Sequence, residues 1–430
     1  MLWRRTSPLV LAFWASGLYG QNFGAASGVE QLIQQALQRN REILAVRQRV
    51  SEARGLLRQA GVRPVPTIEA NAGSGRPLGT QGEEEYTVGY FHPIETGGKR
   101  SKRLLVGEQA VALAEADLSE RTRQLVYDIK TRYVDAATNQ RKVEAIEDIV
   151  KVNRESYRLV DARVQRDDAA PLERQLLLVE LNRTEAQRAV ARGQVQSARL
   201  ELRRAVGFGA DAEFAVAPQL TTEPTVPGSL ADLQKAALAM RPDLRSARTL
   251  VSHSAAEVAL AEAQASPDLT LSAQYSRRHT QLEDPIRTTA SGSPLLLKDR
   301  DNILTLGISI PIQTRKRNAG NIEAAIARQH AAKLRVEQLQ ITIPLEVQTA
   351  WERYQAARNA VAILNQGVLD ESEKNLAVIR QAYNLGQLRL LDVLNEQRRL
   401  LETEMSYIDA QAELARSRAE LERAVGGELQ

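Results

Sequence analysis

Cysteine is absent from the 430 residues, which excludes disulfides, thiolate metal sites, cysteine nucleophiles and an N-terminal lipid-modified cysteine. Any attachment to a membrane must then come from the fold. Aromatic residues amount to only 4% and charged residues to 26%, a balance that suits long helices better than compact cores. Charge of one sign is missing too: 57 basic side chains face 53 acidic ones, for a formal charge of +4. With no long basic run and no aromatic platform, nucleic acid is not an expected partner. His92, His253, His279 and His330 show no i, i+4 pairing, and beyond Met1 only Met240 and Met405 occur. Neither a dedicated metal site nor a cofactor is therefore expected. No serine, histidine and acid arrangement points to a hydrolase, and the chain does not read as an enzyme.

Long apolar runs are also lacking after the first twenty residues. The one such run, Pro8 to Tyr19, follows Arg4 and Arg5 and precedes small residues around Gly20 and Ala25. This is the layout of a secretory signal over residues 1–20, with cleavage anywhere from 20 to 26. The run falls well short of the ~20 apolar residues that span a bilayer as a helix. An exported chain without a spanning helix either stays soluble outside the inner membrane or inserts as a β-barrel.

What the chain does have is internal repetition. Val29 to Leu37 aligns with Leu230 to Leu238 when Leu32 is set on Leu233, and Pro66 falls on Pro267 at the same spacing. Pro93-Ile94-Glu95-Thr96 matches Pro311-Ile312-Gln313-Thr314, and Ala205-Val206-Gly207 matches Ala424-Val425-Gly426, at a wider spacing. Two repeats, 28–207 and 229–426, follow the same order of helix, strand, strand, long helix, helix. The extra length of the second falls in a stretch at about Arg277 to Arg300, rich in Ser, Thr, Pro and Asp, which reads as an exposed loop.

Four segments alternate with period two, at about 66–74, 85–93, 268–277 and 302–312. Ile68, Ala70 and Ala72 alternate with Thr67, Glu69 and Asn71, and Leu304, Leu306, Ile308 and Ile310 with Thr305, Gly307 and Ser309. Such segments fit barrel strands, apolar toward lipid and polar toward a wet lumen. The helices argue against ordinary surface hairpins. From about Gly98 to Gln165 there is no proline and one glycine beyond the first residue, enough for a rod of ~100 Å at 1.5 Å per residue. Leu125, Ile129, Tyr133, Ala136, Val143, Ile146, Val150, Tyr157 and Val160 recur along it at coiled-coil steps. The second long helix, about Asn318 to Asn384, should bend at Pro344. The shorter helices, about 28–61 and 171–206, would match one long helix if stacked end to end.

Four strands cannot close a barrel within one chain, because an open edge in lipid leaves backbone groups unpaired and single-chain barrels begin at about eight strands. Several protomers must share one barrel, and a lumen wide enough for solutes favours three. Since the strands run into helices at one membrane face, the barrel must continue into a helical cylinder. That makes a conduit.

The repeated helix-hairpin-helix order, the helix opening at Arg241-Pro242-Asp243-Leu244, and the segment Tyr383-Asn384-Leu385-Gly386-Gln387-Leu388-Arg389-Leu390-Leu391-Asp392-Val393-Leu394 resemble the TolC family of outer-membrane efflux proteins over nearly the whole mature length. The resemblance implies a mainly α protein with membrane β. Its homotrimer would hold a twelve-stranded transmembrane β-barrel set in outer-membrane lipid and continued by a long periplasmic α-helical barrel. It also implies two partners, a periplasmic adaptor protein and an inner-membrane pump. Pro93 to Arg100, with Arg103 following, is similar to the branch serving heavy-metal pumps of the resistance-nodulation-division class. Gly97-Gly98-Lys99-Arg100 is not a phosphate loop, because Pro93 and Arg100 stand where the Walker pattern needs glycine and Ser or Thr.

Two turns should form the distal tip. Gly386 breaks the second long helix within Leu385, Gly386, Gln387 and Leu388, and Arg166, Asp167 and Asp168 precede Pro171, which can open the next helix. The resemblance makes these turns the adaptor-docking end. It carries over a periplasmic gate as Asp392, Asn395 and Tyr383 from the second repeat and Glu173 from the first. Asn395 stands where relatives can have an aspartate and Leu388 where an arginine can brace the gate, which implies a weaker latch. The alternative for Asp392 is a first-turn carboxylate favoured by the helix dipole. The expected function is that of a passive exit duct in a tripartite efflux system. A type I protein-secretion duct and a coiled-coil scaffold without a barrel remain as alternatives.

Overall fold

A computed structural model of the chain describes residues 28–78, 83–209, 226, 228–292, 294–312, 318–365 and 367–429. The signal segment therefore lies outside the described residues. The first series of elements is α1 (Val29–Arg39), α2 (Arg41–Ala60), β1 (Thr67–Ser74), β2 (Glu84–Ile94), α3 (Lys99–Val164) and α4 (Pro171–Val206). The second is α5 (Leu230–Met240), α6 (Pro242–Ala263), β3 (Leu269–Thr288), β4 (Pro294–Ser309), α7 (Ala319–Asn365), α8 (Val368–Asn384) and α9 (Leu390–Val425). Among the described residues no helix is long and apolar enough to cross a membrane.

The strands form one antiparallel sheet in the order β1-β2-β3-β4. Directly paired residues share a face, so the register shows which side chains go together. Ile68, Tyr90, Ala273 and Leu306 form one cross-strand row, and Ala70, Val88, Tyr275 and Leu304 the next. The opposite face carries Glu69, Gly89, Gln274 and Thr305 in one row and Asn71, Thr87 and Ser276 in another, with Phe91 and Ile303 as apolar exceptions. The apolar face is uncovered: Ile68 is 75% and Leu306 76% exposed. A sheet in water would bury such a face, so this one is built for an apolar surrounding.

The stretch from Arg277 to Arg300 corrects the reading of a loop. β3 runs on to Thr288 and β4 starts at Pro294, leaving a short turn in which the Gly292 N–H donates to the Thr289 carbonyl at 2.8 Å. Its polar composition suggested coil, yet a strand pair is held by its backbone ladder and needs no apolar alternation. Arg278 lies opposite Asp301, and Thr280 opposite Asp299.

The helices stand as four columns side by side. α3, at 66 residues, packs against α2 and α4 on one flank and against α6 and α9 on the other, and α7 in turn packs against α6 and α9. Two core clusters anchor the columns near mid-height. Leu32, Ile43, Ile129 and Tyr133 meet Leu202 and Val206 in the first, and Leu233, Leu244, Ile343 and Tyr354 meet Leu421 and Val425 in the second. Burying each such leucine or isoleucine contributes about 1.5–3 kcal/mol. Polar pairs flank the α3–α4 seam at heptad steps: Gln140 with Arg199, Glu147 with Arg192, and Arg154 with Glu185.

The stacking of α4 on α2, and of α9 on α6, brings helix ends together and leaves backbone groups to be satisfied. In the first repeat Asn40 does this: its Oδ1 accepts the Glu42 N–H at 2.9 Å, while its Nδ2 donates to the Ala205 carbonyl at 2.8 Å. In the second, Arg241 takes its place. The guanidinium, 4% exposed, pairs with Asp243 and Glu346 at 2.6 Å each and donates to the Ala424 carbonyl at 3.2 Å. Gly207 and Gly426, which close α4 and α9 with positive φ of 85° and 96°, lie against these residues.

The second long helix is interrupted at Gly367, which adopts φ 103°, rather than running unbroken from Asn318 to Asn384. Pro344 sits inside α7, which continues through it. A glycine in the left-handed region needs no proline to end a helix.

The helix-end joins generate two expectations. A Cβ at Gly426 would lie 3.1 Å from the Arg241 Cα, whereas one at Gly193 on α4 would meet nothing within 4 Å. Gly426→Ala should destabilise the protein by about 1 kcal/mol or more, and Gly193→Ala should stabilise it by up to ~1 kcal/mol. Urea unfolding followed by circular dichroism at 222 nm measures both. Burial of the Asp243 carboxyl opposes its charge, but hydrogen bonds and charge from Arg241, the charge of Arg123 and the Leu244 N–H outweigh it, so its pKa is lowered. A lowered folded pKa adds stability above the unfolded value of ~3.9 that is lost as pH falls through the folded value. Asp243→Asn should thus flatten the acid side of a stability–pH curve while lowering stability at neutral pH.

Candidate functional site at the helical tip and the strand junction

The far ends of the columns meet in two turns. After α3, the Asp168 N–H donates to the Arg163 carbonyl at 2.8 Å, and Asp167 takes a positive φ of 60°. After α8, the Gly386 N–H bonds the Tyr383 carbonyl and the Gln387 N–H the Ala382 carbonyl, both at 2.9 Å, with Gly386 at φ 74°. This is a Schellman-type stop, which requires a residue tolerant of the left-handed region. Arg166, Asp167, Asp168, Leu385, Gly386, Gln387 and Leu388 are all exposed at this end.

Two of the four gate candidates are in contact. The Tyr383 hydroxyl donates to Glu173 Oε2 at 3.0 Å, linking α8 to α4 across 210 positions of sequence. Tyr383 packs beside the buried Val160, Leu177, Leu390 and Leu394. That burial, the hydrogen bond to Glu173 and the Glu173 charge all raise the pKa of the phenol, outweighing the nearby Arg163. Asp392 and Asn395 lie apart from this pair, exposed on successive turns of α9. The Asp392 carboxylate accepts the Arg389 backbone N–H at 2.9 Å, so it caps its own helix. Sequence reasoning missed two further ties: Arg398 with Glu180 at 3.1 Å and Arg174 with Asp161 at 3.4 Å. Neither has a sequence signature, because each joins different helices.

At the other end of the helices, Pro93 to Arg103 forms a weld. Gly97 and Gly98 both take positive φ, and a Cβ on Gly97 would sit 2.7 Å from the Ser266 hydroxyl. Lys99, 8% exposed, pairs with Asp268 at 2.8 Å, and the Thr96 N–H donates to the same carboxylate oxygen at 3.0 Å. Arg100 donates to the Gly61 carbonyl at 2.8 Å, and Arg103 donates to the Ala60 and Val62 carbonyls at 3.2 Å while paired with Glu95. These basic groups fasten the start of α3 to the end of α2 and the start of β3. They have carboxylate and carbonyl partners already, which leaves no cradle for phosphate.

Among the described residues no group of three His, Asp or Glu side chains could hold a metal ion. The arrangement is one of surfaces and seams: an apolar sheet face, a helical shaft and an exposed polar tip. Comparison with known proteins identifies it. The profile of the outer membrane efflux protein family matches residues 32–208 and 233–427. The cobalt-zinc-cadmium resistance protein CzcC of Cupriavidus metallidurans is 23% identical over 388 residues, covering 90% of this chain and 87% of that one. SilC of Salmonella typhimurium, named a probable outer membrane lipoprotein, is 25% identical over 450 residues, covering 98% and 90%. In structure the chain is similar to CusC, with a TM-score of 0.71 at 20% identity over 94% of this chain and 93% of that one. The outer-membrane channel OprN superposes with a TM-score of 0.72 at 21% identity, covering 93% and 90%. With both halves matched, the chain belongs to the outer membrane efflux protein family.

Proposed function

We propose that the protein is one protomer of a homotrimeric exit duct in the outer membrane. Three sheets would make a twelve-stranded barrel, and three sets of columns a periplasmic helical tunnel. The observation that carries this reading is the sheet itself, whose outer strands β1 and β4 each have an unpaired edge while its exposed face is apolar. Unpaired backbone groups in hydrocarbon cost several kcal/mol each. Copies joined β4 to β1 remove every edge, a head-to-tail contact that closes into a ring. The helices on the two flanks carry exposed apolar side chains at similar heights near the tip, Val179 on α4 and Val378 on α8.

Conduction through such a duct is passive, driven by an inner-membrane pump of the resistance-nodulation-division class through a periplasmic adaptor docked on the tip turns. The similarity to CzcC, named for cobalt, zinc and cadmium resistance, together with the Pro93 to Arg103 segment, favours metal cations as cargo. A duct needs weak sites to let cargo leave. The 430 residues contain no cysteine, so whatever lipid SilC carries by its name, this sequence offers no thiol to acylate.

The closed end is the tip. Tyr383 and Glu173 hold α8 to α4, and Asp392 of three protomers would form an acidic ring at the narrowest point. Mass determination of the detergent-extracted protein should give a trimer; a stable monomer with full strand content would sink the duct. Tyr383→Phe should raise leak conductance in bilayer recordings by loosening α8. Asp392→Asn removes the charge and keeps an oxygen for the Arg389 N–H, so it should reduce cation selectivity and divalent block with little loss of stability. Unchanged selectivity, with a stability loss of about 0.5–2 kcal/mol in Asp392→Ala, would leave Asp392 as a helix cap alone.

A further inference from the structure

The seam of α3, α4 and α9 is apolar at two levels, around Val143, Ile146, Val150 and Val195, and again at the tip around Val160, Leu177, Leu390 and Leu394. Between them it turns polar. Asn153 is 1%, Thr184 2%, Gln397 4% and Glu180 8% exposed, and with Arg398 they line a small cavity of about 60 Å³. The Thr184 hydroxyl donates to the carbonyls of Glu180 and Leu181 at 3.0 Å and accepts from Asn153 Nδ2 at 3.4 Å. Arg398 uses its Nη2 on Glu180. Three buried polar atoms on this lining have no protein partner: Asn153 Oδ1, Gln397 Oε1 and Arg398 Nε.

The residues that carry these two acceptors and one donor line one cavity, and water is the ligand that serves both kinds of group. Water can accept from an N–H such as that of Arg398 Nε and donate to amide oxygens such as Asn153 Oδ1 and Gln397 Oε1. At ~30 Å³ per molecule the space holds about two waters. A metal cation would face the Arg398 guanidinium, whose charge already balances Glu180, and an anion would face two carbonyl oxygens. We propose that this cavity is a permanent internal hydration site, and that it divides the seam into a shaft block and a tip block that loosen separately. A wet polar layer cannot transmit apolar packing from one block to the other. α8 spans both levels, since Asn365 just before it accepts from the Tyr407 hydroxyl beside the shaft block, and it buries only Leu376, so it adds little packing across the polar layer.

The inference concerns the tip that the proposed duct closes, but its test does not depend on conduction. A high-resolution structure of the membrane-extracted assembly should show solvent density within hydrogen-bonding distance of all three atoms. Hydrogen exchange should be about tenfold or more faster in peptides over 154–164 than over 129–146. Asn153→Leu with Gln397→Leu should dry the cavity and slow tip exchange about tenfold, and the milder Gln397→Met about threefold, while shaft exchange stays unchanged. An empty cavity, equal exchange of tip and shaft in the unaltered protein, or density ringed by six or more oxygens at ~2.4 Å, as a cation requires, would overturn it. Loss of channel current with these readouts intact would count against the duct alone.

Discussion

A helix of 66 residues has no neighbour of its own length in this chain, and much of the architecture follows from that mismatch. Each flank of α3 must be covered by two shorter helices set end to end, and every such join exposes the unsatisfied carbonyls and N–H groups of two helix termini. The joins lie against the large core clusters, where water is excluded, so the protein must supply partners from side chains. Asn40 and Arg241 do so at corresponding positions of the two repeats. Each is paired with a glycine, Gly207 or Gly426, whose missing Cβ lets the helix ends touch.

The repeats solve this problem with different chemistry. Asn40 works with neutral hydrogen bonds to its own helix start and to Ala205. Arg241 brings a buried charge, which is tolerated because Asp243 and Glu346 neutralise it and the Ala424 carbonyl takes a further N–H. Cross-repeat ties such as Lys130 with Glu422 and Arg416 with Asp135 then fix α3 against α9. The two halves of the chain are thereby held together along their length.

Features governed by local periodicity were legible in the sequence. The alternation of Ile68, Ala70 and Ala72, or of Leu304, Leu306 and Ile308, places those residues on one face, and the run without proline from Gly98 to Gln165 closely matches α3. Composition misled where pairing decided the outcome. The polar stretch after Arg277 forms strand because the backbone ladder to β4 continues through it, and the second long helix ends at the positive φ of Gly367, a break that no proline marks. At the tip, Asp392 as a helix-start carboxylate follows from its place three residues after Arg389. The bond between Tyr383 and Glu173 joins distant parts of the chain, and the resemblance named both residues without pairing them. The polar layer at Asn153 was not legible at all, since one asparagine within a heptad pattern looks like an ordinary surface position until three helices close around it.

The weld at Lys99, Arg100 and Arg103 has a mechanical consequence. The chain passes from strand to helix at a point fastened by two ion pairs and several backbone hydrogen bonds, so the sheet and the columns are stiffly coupled there. The far end is tied by Tyr383 to Glu173, by Arg398 to Glu180 and by Arg174 to Asp161, and α8 starts from a single glycine. In two elements joined in series, a load produces its displacement in the softer one. A twisting or pulling force applied to this protein at its tip would be absorbed within the last few turns of helix, and the four-stranded sheet would keep its shape.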